Sequence, residues 1–251
     1  MRQGSAMREK TARLAVAGLW ATAVLIATVG VASASSGRTP ILSMTPSQIL
    51  ATSLAAARSQ KSATATEIQH EGGTKATQKA DSFQQGGEQV LGSSTGAAAD
   101  IRLLNGVVYL KDNAQGIKMM FGVNDAKWAN KWIKVTSKSS AFAPLSSGIT
   151  FPSLLSQLPP TGKLTKSKVE SVGGHQVIAI SGKPNQASGP VSGTEIFYVS
   201  TVAPYLPIEM TGNVTAQGHK LTLTISMSNW KRTFSIATPN SSTPINKTNL
   251  P

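Results

Sequence analysis

The three histidines of this chain, His70, His175 and His219, are its best candidates for acid-base or metal chemistry. None has a second histidine or a carboxylate at metal-ligand spacing. Each falls in or beside an expected turn or strand, so a solvated surface imidazole is the reading for all three. Cysteine is absent, which removes a thiolate nucleophile, a thiolate metal site and any disulfide. Asp100, Asp112 and Asp125 could approach one another as a carboxylate pair of the glycosidase kind. With only 11 acids in the whole chain, that chemistry is not the expected one. Neither a G-x-S-x-G nucleophile elbow nor a G-x-x-x-x-G-K-[S/T] phosphate loop is expected. The sequence therefore predicts a protein that is not an enzyme and that uses no cofactor and no metal.

Charge suggests partners instead. Lys and Arg number 24 against 11 acids, a net charge of +13, and the excess is spread along the chain. Such a balance attracts anionic lipid headgroups or wall polymers. Nucleic acid is not an expected partner, because no Lys/Arg run interleaves with aromatics and no recognition-helix pattern is visible.

Residues 1–34 read as an export signal. Arg2, Arg8, Lys10 and Arg13 form a positive start, Leu14 to Val31 is apolar, and Ala32-Ser33-Ala34 is an A-x-A cleavage site. Cleavage would leave a mature start at Ser35. The competing reading is an uncleaved anchor, since about 20 apolar residues can span a bilayer. Either way the chain is exported, to the extracellular or cell-envelope space.

The elements that must carry any site follow from turn and period signals. Residues 35–44 are a flexible tether. Thr45-Pro46-Ser47 opens a helix that puts Ile49, Leu50, Leu54 and Ala57 on one face. From Ala63 onward the chain alternates, with a hairpin at Gly72-Gly73 and further turns at Gly86-Gly87 and Gly92 to Gly96. The inward positions of this first meander are small, so it is expected to be the less stable edge of the sheet. Ala99 to Leu104, the Asn105-Gly106 turn and Val107 to Lys111 give a strong hairpin signal. Gln115 to Phe121 is a short apolar helix or loop, after which the chain is expected to return as an aromatic strand around Trp128, Trp132, Ile133 and Val135.

Ser137 to Gly148 reads as a loop, and Pro152 starts a helix with Leu154, Leu155 and Leu158 on one face. Five antiparallel strands follow, and in the last of them Leu221, Leu223, Ile225 and Met227 share one side. The fold class is α+β: a strongly curved antiparallel sheet, or half-barrel, of about ten strands with two or three helices over its concave face. One domain spans 45–238, and 239–251 is a polar tail expected to be disordered.

The order VVYLK, short helical insert, KWIKV, FPSLLSQLPP, GKLTKSKVESVGGHQVIAI and EIFYVSTVAPYLPIEM, followed by a last strand, resembles the LolA-like lipoprotein family of actinobacteria over residues 46–238. These are periplasmic and cell-wall lipid carriers. The chain departs from the family in lacking the lipidated cysteine that follows the signal peptide. The resemblance implies a LolA/LolB-like half-barrel around a hydrophobic cavity that accommodates the acyl chains of a lipid or lipoglycan, in a monomer that works at a membrane surface with an envelope transporter as a further partner.

Burial of alkyl groups at about 0.8 kcal/mol per methylene is adequate for such binding. The lining candidates are Ile101, Leu103, Val107, Tyr109, Met119, Phe121, Trp132, Leu154, Leu155, Leu158, Leu221, Leu223 and Ile225. The same letters would fill a closed core. A cell-envelope structural module without ligand and a lipid-sensing regulatory domain therefore stand as alternatives.

Overall fold

The computed structural model describes residues 40–121, 126–185, 191–216 and 218–244. The expected export signal lies outside these residues. In chain order the elements are α1 (Pro46–Gln60), β1 (Ser62–Glu71), β2 (Thr74–Phe83), β3 (Gly86–Ser93), β4 (Ala98–Leu104), β5 (Val107–Asp112), α2 (Ala114–Phe121), β6 (Trp132–Val135), α3 (Phe142–Ser146), α4 (Phe151–Gln157), β7 (Thr161–Val172), β8 (His175–Lys183), β9 (Val191–Ser200), β10 (Pro207–Ala216), β11 (His219–Ser228) and β12 (Thr243–Pro244). Among the described residues no helix is long and apolar enough to cross a membrane.

Local chemistry fixes the starts and turns. Thr45 caps α1 in a reciprocal capping box with Gln48, and Pro46 takes the first turn, where its missing N–H costs nothing. The Asn105-Gly106 turn has both residues at positive φ, 51° and 72°, the type I′ geometry whose twist matches the flanking strands. Thr150 caps α4 by accepting a hydrogen bond from the Ser153 N–H.

One sheet holds all the strands in the order β12-β6-β5-β4-β3-β2-β1-β11-β10-β9-β8-β7. Every pairing is antiparallel except β12 with β6. The sheet is curved and unclosed. Helix α1 touches β7, β9, β10 and α4, while α4 touches β2. In a flat sheet β2 and β7 would lie about 29 Å apart at roughly 4.8 Å per strand, more than two packed helices about 8–10 Å apart can bridge. The sheet therefore bends around the helices.

Among the described residues there are twelve strands, more than the expected ten or so. The first meander is not an edge: β1 pairs with β11 along Thr64 to Glu71, so β1 and β2 lie mid-sheet. That pairing joins segments far apart in sequence, which strand alternation alone cannot reveal. Gly86, Gly87 and Gly92 lie within β3 and not in turns. A Cβ on Gly87 would come 2.7 Å from the backbone oxygens of both Asp81 and Ile149, so that glycine is there for close approach.

The strand expected around Trp128 begins at Trp132, and Trp128 lies in a short 3-10 turn before it. The expected loop 137–148 contains the short α3. Beyond β11 the chain stays against the sheet as far as Pro244. Ser62 Oγ donates to the Arg232 carbonyl, Arg102 Nη1 donates to the Ala237 carbonyl, and Thr243-Pro244 pairs beside Ile133-Lys134. The chain after β11 is thus tied back to β1, β4 and β6 in turn. Residues 245–251 lie outside the described ones.

Candidate ligand-binding face

Register decides which side chains share a face, because residues directly opposite across a sheet point the same way. Following the pairings outward from Ala80 gives one continuous inner row: Ala65, Ala80, Gln89, Ile101, Leu110 and Ile133. The next inner row runs Phe197, Met210, Ile225, Glu67, Gln78, Leu91, Ala99 and Asp112. Helices α1 and α4 pack on one half of this face, in an apolar cluster with Ala65, Ala80, Phe197, Met210 and Ile225. Ile117 of α2 and Leu145 of α3 pack on the other half, with Ala99, Ile101, Leu103, Leu110 and Ile133. The sheet therefore carries two lids on one side.

Between the two clusters the inner face changes character. Gln69, Gln78 and Gln89 are buried, and Gln89 Nε2 has no hydrogen-bond partner. Glu67 and Leu91 remain half-buried, so accessible surface persists on the inner side of β1 and β3. Burial pushes the Glu67 carboxyl up to about 7. At Glu195 burial also raises the carboxyl to about 7, opposed by the Asn185 N–H, which donates to it at 3.2 Å. At Asp112 burial raises the carboxyl to about 7, only partly offset by the nearby Asn113 N–H, which donates to the Ala98 carbonyl and leaves both carboxyl oxygens without a hydrogen-bond partner. All three carboxyls are therefore largely protonated in mildly acidic solution. A protonated carboxyl tolerates an alkyl neighbour far better than a carboxylate does.

The sequence-derived lining residues divide by parity. Ile101, Leu103, Leu221, Leu223 and Ile225 lie on the inner face, and Leu154, Leu155 and Leu158 reach it from α4 and its C-terminal end; all eight are buried within the two clusters. Val107, Tyr109 and Trp132 lie on the outer face, since their register partners are Leu104, Arg102 and Lys111. Arg102 there stacks over Trp132 at 4.5 Å and binds Glu88 at 2.7 Å and Asp100 at 2.9 Å. These three aromatic and branched residues pack the outside of the sheet, and period-2 letters could not tell the two sides apart. The side chains of Met119, Met120 and Phe121 lie outside the described residues.

The catalytic options separate as clearly. Asp100 faces outward opposite Lys111 and Asp112 faces inward opposite Ala99, so those two carboxylates do not meet; Asp125 lies outside the described residues. His70 and His175 are exposed, and His219 Nδ1 lies 3.1 Å from Glu71 Oε1. Among the described residues no three His, Asp or Glu cluster as metal ligands. One G-x-S-x-G string does occur, at Gly92 to Gly96, within the stretch read from sequence only as a turn. It joins two antiparallel strands, not a strand to a helix, and Ser94 Oγ accepts from the Lys75 N–H at 3.0 Å. That is not a nucleophile elbow. The residues that sequence reasoning missed are Glu67, Gln78 and Leu91; their alternation was legible, but the pairing that aligns them across β1, β2 and β3 was not.

No family model matches the sequence, and no curated protein does. Solved structures do. LprF from Mycobacterium bovis is 15% identical, with a TM-score of 0.48 over 77% of this chain and 96% of that one. A DUF1329 family protein from Desulfovibrio piger is 10% identical, with a TM-score of 0.33 over 77% of this chain and 96% of its own. A LolA superfamily protein from Nitrosomonas europaea is 9% identical, with a TM-score of 0.27 over 74% and 94%.

Proposed function

We propose that this protein is a secreted or envelope-associated carrier that holds the acyl chains of a lipid or lipoglycan against the inner face of its sheet, without covalent chemistry. The observation that supports this most is the strip between the two lids, where Glu67 and Leu91 keep accessible surface on an otherwise buried face. An alkyl chain laid there would cover Leu91 and run toward apolar clusters on both sides. Each methylene removed from water contributes about 0.8 kcal/mol. The net charge of +13 favours approach to an anionic membrane surface. With residues 1–34 as export signal and no lipidated cysteine, the carrier diffuses as a monomer over 45–238 or stays tethered at its N-terminus, and an envelope transporter would supply or receive its lipid.

One observation favours a second reading. Eight of the sequence-derived lining residues fill the protein's own clusters, as they would in an envelope module that binds wall polymer through its basic exterior and takes no lipid.

Titration with a fluorescent long-chain fatty acid distinguishes the two. Val90 and Leu91 are neighbours on β3, with Val90 exposed on the outer face and Leu91 half-buried on the inner one. Displacing about two methylenes corresponds to roughly tenfold in affinity. The carrier reading predicts that loss for Leu91→Trp and none for Val90→Trp. Absence of saturable binding by the unaltered protein, or equal loss in both variants, would favour the module.

A further inference from the structure

A groove of about 390 Å³ opens where β1, β10 and β11 end, lined by His70, Asn213, Thr215, Lys220 and Thr222 of the outer face, by the Gly72-Gly73 turn, and by Glu71, Val214 and Leu221, which belong to the inner-face rows. Its side chains are set by the ladder. His70 and Asn213 both lie opposite Thr222, and Thr215 lies opposite Lys220 in the neighbouring outer row. Two basic groups, one amide and two hydroxyls thus share one side of three adjacent strands. All can donate hydrogen bonds.

Glu71 also lines the groove, but its carboxyl is directed to another partner. It pairs in register with Leu221 on the inner face, and its Oε1 lies 3.1 Å from His219 Nδ1. The Gly72-Gly73 turn closes the groove with no side chain to obstruct it.

We infer that this groove is a second binding site, which takes a phosphate-bearing polar group. A tetrahedral oxyanion presents several terminal oxygens to such a set of donors, and hydrogen bonds from an ammonium to it are the stronger, charge-assisted kind. The volume exceeds that of a bare ion, so the phosphate arrives on a larger group, a lipid headgroup or a soluble phosphate ester. The inference is independent of the acyl-carrier reading, since the side chains it uses point away from the inner face.

The test is an NMR titration of the purified exported protein with inorganic phosphate and with glycerol phosphate, together with cosedimentation on vesicles of phosphatidylglycerol and phosphatidylcholine against phosphatidylcholine alone. Saturable shifts are expected at the amides of residues 70–73 and 213–222. Lys220→Gln combined with His70→Gln is expected to weaken them about tenfold, the usual worth of a charge-assisted bond. Lys168→Gln, an exposed lysine on β7 at the sheet edge, serves as the charge control and is expected to leave binding unchanged.

Vesicle binding that the double variant loses would assign the source as a headgroup; binding of the soluble phosphates without vesicle binding would assign a free ester. No saturable shift with either phosphate, or an equal loss in Lys168→Gln, would overturn the site. Fatty-acid binding is read separately, so failure here leaves the carrier test standing.

Discussion

Replacing Asp112 by asparagine is expected to stabilise the protein at pH 8 by on the order of 3 kcal/mol. The side chain is 1% exposed, both oxygens lack a hydrogen-bond partner, and the carboxyl is raised from 3.8 to about 7. Between those two values the folded protein binds a proton that the unfolded chain has released. Stability therefore falls as pH rises through this window, and the loss is complete above about 7. Below 3.8 both states are protonated and no penalty remains.

Asparagine keeps the size and removes the ionisation. Urea unfolding at pH 5 and pH 8 should show the natural protein weaker at pH 8 and the variant much less so. The residual slope belongs to Glu67 and Glu195, which shift the same way. A natural protein that is more stable at pH 8, with Asp112→Asn no different from it, would show that this carboxylate has partners or water the account does not give it.

Gly87→Ala carries the second large effect, in the opposite direction. The added Cβ would come 2.7 Å from the Asp81 oxygen and 2.7 Å from the Ile149 oxygen, both backbone atoms, and 3.1 Å from Ile149 Cγ2. Neither oxygen can swing away as a side chain would. Either β3 must part from β2 or the connection from α3 to α4 must lift off the sheet. A cost of about 3 kcal/mol is expected, at the upper end for overpacking. Gly92→Ala on the same strand meets only Thr77 Oγ1 at 3.4 Å and should change stability by less than about 0.5 kcal/mol. Equal midpoints for the two variants in chemical denaturation would mean that Ile149 does not press on β3.

Much of the fold was legible because its signals are local. The Thr45-Pro46 start of α1, the Asn105-Gly106 hairpin and the alternation of Leu221, Leu223 and Ile225 each depend on residues a few positions apart. What escaped depends on distant pairings. The same doublet of glycines makes a turn at Gly72-Gly73 and a close strand contact at Gly86-Gly87, and only the approach of Asp81, Leu103 and Ile149 distinguishes them.

The face of Val107, Tyr109 and Trp132 was similarly ambiguous. A strand shows which residues alternate but not which set meets the helices, and aromatic letters suggested the wrong one. Tyr109 is buried even so, on the outer side of the sheet where Arg102 also ties down the chain after β11 at Ala237. The inner strip at Glu67, Gln78 and Leu91 was invisible for the same reason: it exists only once β1, β2 and β3 lie side by side.

The central claim is that a fatty tail lies against that strip, and native mass spectrometry of the protein purified from its native host tests it most directly. The account predicts a population heavier than the bare chain by the mass of an acyl lipid, depleted in Leu91→Trp and retained in Val90→Trp. A single species at the bare mass, under conditions that keep a known lipid carrier loaded, would contradict it.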